Sequence, residues 1–523
     1  MDGRSAKIRR VGLAAACCVV SAAGRSGLAP VSVVAVRVMV LGLRHSWIAR
    51  RKAAFPSTME FSASSSSSPI NDNPASRHQD DLTERVKAAI GCLPRRPRCA
   101  VVGGGFAGLA TAYHLARFGS DVTVFDPNDV GTGGASAIAA GLLHPLTSRG
   151  KVIFKGEEGL AAAKELIEVA NAGLTEAAEQ GRTQGPRSCI ATDNIYRPLL
   201  DQKQYSTFTK AAQELPQWLE YLTREEFLEA VPGSDTKCLG GVRIRGALAV
   251  DSPLYLRGLW DACRTAASAN RDDGGTASTG GATWVRQHVD DIHTMASSGE
   301  FDAVVACVGA GVKVVAGVKD IVNLRLVRGQ TLLYDNVNPD RTIPPLSSGA
   351  STADSVKGQT ASMSGRTDGK MLESAVLCGQ YVVPAVADGK TGNVEKLLYG
   401  STQEPVLLRD VDRPANMAQA LRQLAPKIAK LFPALEGVEP VGVSSGVRVI
   451  QDRTEFGRIP IAGRLPFSRR GWVIAALGAR GLIHHAYLGR LVAACALLDS
   501  DQHLPPQVIS PLEDLGNNPN ADL

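Results

Sequence analysis

No Cys-x-x-Cys pair occurs among the ten cysteines of this 523-residue chain. A zinc ribbon or a thioredoxin-like redox site needs that spacing, so neither is indicated and no metal is expected. The cysteines are scattered, and Cys99 and Cys307 lie in or beside apolar runs, as buried thiols of a reducing compartment do. Hydrophobic runs able to cross a bilayer are also missing: the run from Val11 to Ala23 is too short, and Leu28 to Leu43 carries Arg37 near its centre. Acidic residues almost vanish from the first 70 positions, where Asp2 and Glu60 stand alone. The body lacks a basic excess. Formal charge is +6, but through Pro97 fifteen Lys/Arg face six Asp/Glu, giving +9 and leaving about −3 for the rest. A body with that balance is not expected to grip nucleic acid.

What fills the first 70 positions is arginine (Arg4, Arg9, Arg10, Arg25, Arg37, Arg44, Arg50, Arg51) and a serine run, Ser64 to Ser68. Arg-rich, Ser-rich and acid-poor composition predicts a cleavable transit peptide over 1–70, disordered before import. The serines favour the chloroplast, with the mitochondrion as the alternative. Residues 71–97 read as a polar linker with one short helix, Asp81 to Gly91.

The 53 glycines are numerous for a globular chain and form no collagen-like repeat, which suggests backbone approaching a ligand closely. The segment RCAVVGGGFAGLATAYHLARFGSDVTVFD begins at Arg98. Cys99 to Val102 suits a buried parallel strand. Gly103, Gly105 and Gly108 follow at the spacing of a dinucleotide fingerprint: a tight turn, backbone approach to a pyrophosphate, and close helix packing. Phe106 and Ala107 open a helix whose first amides would face phosphates. Val122 to Phe125 forms a second strand, and Asp126 closes it, placed to hydrogen-bond ribose hydroxyls. His114 on this helix reads as a packed or exposed side chain.

After Asp126 a loop of small residues runs from Gly131 to Pro145, as a planar ligand lying along backbone would require. Far away, Gly471 to Leu497 reads strand, glycine turn, helix, with Gly478, Arg480 and Gly481 in the turn and Leu482 opening the helix. These segments resemble the flavin motifs of the D-amino-acid oxidase (glycine/sarcosine oxidase) family. The AAGLLHPLTS loop and the GARGLIHHA turn are similar to the oxidase domain of the bacterial tRNA methylaminomethyl-uridine enzyme. The resemblance implies non-covalent FAD. It implies that Ser136, with Ala137 beside it, reaches the pyrophosphate and that Ala140, Gly141 and Leu142 run along the flavin ring. It further implies that Gly309 lies near the cofactor, that the Val289 backbone holds the adenine, and that the helix N-terminus at Gly481 stabilises reduced flavin.

Between these segments, strands are expected over Leu324 to Tyr334, Leu377 to Pro384 and Lys396 to Glu404. Lys151 to Gln184 is predicted largely helical, and polar stretches at 268–281 and 335–370 read as surface insertions, the latter disordered. The expected fold class is α/β, a Rossmann-like FAD-binding domain interleaved with an α+β substrate domain on a mostly antiparallel sheet. The FAD-binding parts would be 98–180, 240–323 and 441–504. The substrate parts would be 181–239 and 324–440, with a tail over 505–523. By the resemblance, Arg448 clamps a substrate carboxylate, unless it is a structural Arg paired with an acid. A guanidinium fork suits the clamp. Tyr381 resembles the phenol that helps hold substrate over flavin, and a buried strand Tyr is the equal alternative. His144 and His484 lie beside the flavin loops, where a His is catalytic or simply packed. The implied activity is oxidation of a C–N bond in an amino acid or N-substituted amino acid, with dioxygen reoxidising the flavin. The alternatives are a modified tRNA side chain as substrate, or a flavoprotein assembly subunit without turnover.

Overall fold

The computed structural model describes residues 74–516 apart from 236, 270–280, 322, 337–370 and 387–393. The expected leader over 1–70 lies outside the described residues, as do nearly all of both polar insertions.

Helix α1 (Pro74–Gly91) leads into β1 (Arg98–Val102), α2 (Phe106–Arg117) and β2 (Asp121–Asp126). Helix α3 (Gly156–Glu179), strands β3 (Ile195–Pro198) and β4 (Gly241–Ile244), and helix α4 (Ser252–Ala269) follow. Next come β5 (Ala282–Arg286), β6 (Ala303–Ala306) and the long β7 (Leu324–Asp335). Strands β8 (Ala375–Cys378), β9 (Gln380–Val386) and β10 (Val394–Gly400) precede α5 (Met417–Leu431). The chain closes with β11 (Gly442–Gln451), β12 (Ile461–Arg464), β13 (Gly471–Ala475), α6 (Gly481–Leu498) and α7 (Pro506–Gly516).

Six strands form one sheet in the order β12-β13-β6-β1-β2-β5, every pair parallel except β12–β13. Its strands read as continuous apolar runs because both faces are covered, and β1 buries Cys99 to Val102 completely or nearly so. Helix α2 is rich in Ala and Leu and ends where Gly119, at φ +103°, takes the left-handed turn; the Ser120 amide then donates to the Leu115 carbonyl. Helix α6 packs against both α2 and α3. Among the described residues the stretch Gly478–Leu498 is the one helical segment long and apolar enough for a membrane, and its burial makes it a core helix.

A nine-stranded sheet runs from β7 through β10, β9, β8, β3 and β4, with β11 on the far edge of β7. Its register sorts side chains cleanly. Leu332, Tyr399, Val382, Val376 and Tyr196 line one face and pack under Leu424, Ile428 and Leu431 of α5. Ile195, Ala375, Val383, Leu377, Tyr381 and Leu398 lie on the other face, against Ala140, Leu142 and Leu146. The pairing is antiparallel except that β8 and β3 run parallel.

Several expectations change. Leu377 to Pro384 is two strands, not one, because Gly379 at φ +78° turns the chain so that Cys378 pairs with Gln380. Lys396 to Glu404 breaks after Gly400, and Glu404–Pro405 pairs separately with β7. The linker helix extends back to Pro74 and buries Leu82 and Val86 in the main core. Residues 505–523, expected as a tail, begin with α7, whose Val508 and Leu512 are buried. Helices Gln202–Glu214 and Arg224–Ala230 carry no earlier expectation; Asp201 caps the first and a Thr223/Glu226 capping box starts the second.

Candidate active site

The glycine turn after β1 is built by close backbone approach. A Cβ on Gly103 (φ +102°) would lie 2.3 Å from the Cys307 carbonyl oxygen, at the end of β6. One on Gly108 would overlap the Gly103 carbonyl at 1.7 Å. Only glycine lets β1, β6 and α2 meet here. The Asp126 carboxylate accepts from the Gly104 amide (2.8 Å) and the Asn128 amide (2.8 Å). It therefore braces the turn in addition to any ribose it would meet. Trp284 fills the space that a Gly104 side chain would need.

Ser136 sits on a one-turn helix, Gly134–Ala137, and its Oγ accepts from the Phe106 amide at 3.1 Å. The same turn packs against β11, where a Gly446 Cβ would come within 3.1 Å of the Ala135 Cα. Ala137 and Ala140 are buried. Gly141 is glycine for a reason other than ligand approach. Its Cβ would strike the Val250 carbonyl at 1.8 Å, and its own carbonyl accepts from the Val250 amide. Leu142 is half-buried on the neighbouring small sheet.

The distant turn arrives at the same place. A Gly481 Cβ would lie 3.4 Å from the Phe106 ring, and Gly478 (φ +58°) packs against Ile450 of β11. Leu482 is buried in the main core, leaving its backbone as the part that could face a ligand. Arg480 donates to the Leu146 carbonyl (3.3 Å), and burial works against its charge. Gly309 (φ +53°) opens a short 3-10 turn beside the Ser136 turn, with nothing within 4 Å of its Cβ position. Val289 lies off this line, buried in the apolar cluster with Val102 and Phe125.

This cradle fits an FAD: three glycines that bring backbone to one point, a helix N-terminus above them, and open space at Gly309.

Arg448, Thr331 and Tyr381 share one sheet face. Register pairs Tyr381 with Gly400 and Gly400 with Thr331. Because Gly400 has no side chain, the Thr331 and Tyr381 hydroxyls meet across it at 3.0 Å. Arg448 pairs with Val327, and its Nη2 lies 3.1 Å from where a Gly329 Cβ would stand. Among the described residues Arg448 forms no ion pair with an acid, and burial disfavours its charge.

Burial favours the neutral form of both flavin-loop histidines, His144 and His484, at pH 7. Desolvation first, then Arg480 and Arg197, lowers His144 to about 4. Desolvation, Arg480 and His485 lower His484 to about 3. His485, unremarked in sequence, has both ring nitrogens engaged: Nδ1 with the Leu482 carbonyl (3.0 Å) and Nε2 with the Tyr255 hydroxyl (2.7 Å). A carbonyl can only accept, so Nδ1 carries the hydrogen and Tyr255 donates to Nε2. Thr331, Gly400 and Arg197 were also unflagged. An Arg inside the apolar run Ile195–Pro198 was the available signal for the last.

A family model described as FAD dependent oxidoreductase (DAO) matches residues 98–495. The chain is 28% identical over 419 residues to a glycine oxidase of Geobacillus kaustophilus (strain HTA426), covering 77% of this chain and 93% of that protein. It is 25% identical over 431 residues to the tRNA 5-methylaminomethyl-2-thiouridine biosynthesis bifunctional protein MnmC of Delftia acidovorans, covering 78% of this chain and 59% of that one. The crystal structure of glycine oxidase from Geobacillus kaustophilus superimposes with a TM-score of 0.56 at 21% identity, over 79% of this chain and 98% of the other.

Proposed function

This chain belongs to the DAO family of FAD-dependent oxidoreductases, and from that premise we propose that it oxidises the C–N bond of a small amino acid or N-substituted amino acid, with dioxygen as terminal oxidant. The observation that carries the reading is Arg448, a half-buried guanidinium with no carboxylate partner among the described residues, on the sheet face that also presents Tyr381. FAD, when bound, supplies the two-electron acceptor. The chain supplies orientation. Arg448 holds the substrate carboxylate by a charge-assisted fork. The Tyr381 hydroxyl, fixed by Thr331 at 3.0 Å, adds a second polar contact. Neutral His144 and His484 add no charge to the amine's surroundings. No protein base is required when the amine arrives neutral.

The test uses a chain beginning at Asp72, loaded with FAD and assayed for peroxide across glycine, sarcosine and D-amino acids. Arg448→Ala is expected to raise KM by about two orders of magnitude or more, with FAD retained. Unchanged turnover of every active amine in that variant would remove Arg448 from the site.

A second reading, a methylaminomethyl side chain of tRNA, rests on the likeness to the MnmC protein. The peroxide assay distinguishes it by adding modified tRNA, and a flavoprotein silent with every amine would support an assembly role instead. The chloroplast destination of residues 1–70 is part of this proposal. Fusing them to a fluorescent protein tests it, mitochondrial targeting being the contrary result.

A further inference from the structure

One positive charge on the substrate face has no place in the account above. Arg197 lies on β3, 8% exposed, with its guanidinium carbon 4.4 Å from the Phe208 ring centre. Its Nε is buried without a hydrogen-bond partner, and no ion pair engages it among the described residues. After desolvation, which works against it, the Cys378 thiol and then the Asp201 carboxylate act on its charge. That carboxylate is committed elsewhere: one oxygen accepts from the Gln204 amide (2.8 Å) and the other from the Gln204 side chain (2.9 Å), capping the helix that follows. A buried, unpaired cation is costly unless something anionic comes to it.

Register says where it points. Ile195 pairs with Ala375 and Tyr196 with Val376, so Arg197 has the parity of Ile195, Ala375 and Leu377. Leu377 pairs with Tyr381, Tyr381 with Gly400, and Gly400 with Thr331. Arg197 therefore shares the face that holds Tyr381, Thr331 and Arg448. It stands level with Tyr381 and two strands away, roughly 10 Å between backbones. His144, on the segment packed over this face, feels the charge of both Arg197 and Arg480.

Resting on the reading of Arg448 as a carboxylate clamp, we propose that Arg197 receives a second carboxylate, so that the substrate is an amino dicarboxylate, either an acidic amino acid or an N-carboxyalkyl amino acid. Two guanidiniums on one face then hold the two ends of the molecule and fix the C–N bond between them. Arg197 sets specificity, and Arg448 serves every amino acid alike.

The FAD-loaded chain from Asp72 is titrated with acetate, succinate and glutarate, following the flavin absorption spectrum, and peroxide is measured with glycine, aspartate and iminodiacetate. The dicarboxylates should bind at least about ten-fold tighter than acetate. Arg197→Leu should erase that preference and leave the acetate Kd within about two-fold, while Arg197→Lys keeps part of it. Equal affinity for acetate and succinate in the unsubstituted protein would overturn the proposal, as would a preference that survives in Arg197→Leu. Should Arg197→Leu not hold FAD, Arg197→Gln and the unsubstituted comparison decide it. If no carboxylate perturbs the flavin and no amine yields peroxide, the clamp reading itself has failed. If acetate and glycine are handled but dicarboxylates gain nothing, only the second site has.

Discussion

Buried polar side chains in this protein divide into those fully engaged and those left waiting. His485 is engaged on both ring nitrogens, and burial lowers it to about 4 from 6.5. Its neutral form is the one the fold wants. Above pH 6.5 neither the folded nor the unfolded chain protonates it, and its contribution is complete. As pH falls from about 6.5 to about 4 the unfolded chain takes up the proton first, so stability is lost across that window and levels off below it. A shift of this size in one fully buried group amounts to an effect on the order of 3 kcal/mol. Urea midpoints measured from pH 7 to pH 4 should fall, and His485→Gln should flatten the slope. Arg197, Arg448 and Arg480 belong to the other class, cations with no carboxylate ion pair among the described residues, though Asp201 favours the charge of Arg197 and Arg480 has the Leu146 carbonyl.

At the level of elements, α2 and α6 form the seam on which the site depends. A Cβ on Gly489 would sit 2.9 Å from the Ala110 methyl and 3.0 Å from the Thr111 amide, so the helices cross at a point with no room. Gly489→Leu is expected to cost about 3 kcal/mol or more and to weaken FAD retention, read from the thermal midpoint and the visible spectrum of the same preparation. The β1–α2 turn was legible in sequence because its glycines, strand and helix are contiguous and each reports on its neighbour. The hairpin at Gly379 was not, since β8 and β9 read as one run of strand-forming residues until the turn is seen. Arg197 was hidden for a different reason. Its meaning depends on register with β8 and β9, nearly two hundred positions away, and no local pattern encodes that pairing.

The whole molecule has no dispensable linker at 74–97. Leu82 and Val86 of α1 are buried in the main core, and Arg95 grips both carboxylate oxygens of Asp302 at 2.7 and 2.8 Å just before β6. Starting the chain at Arg98 rather than Asp72 removes two buried side chains worth about 1.5–3 kcal/mol each. Unfolding free energies from denaturant titration of the two chains should differ by about that sum, with the shorter one less stable.

The contact of Gly481 with Phe106 joins positions 375 apart (481 minus 106). Closing a loop of that length costs about 5 kcal/mol in chain entropy. The ribosome delivers the sealing helix long after the nucleotide turn, so any product stopped before Gly481 carries that turn with nothing to close it. Such fragments should purify colourless, while a chain that includes α6 turns yellow once that helix has docked.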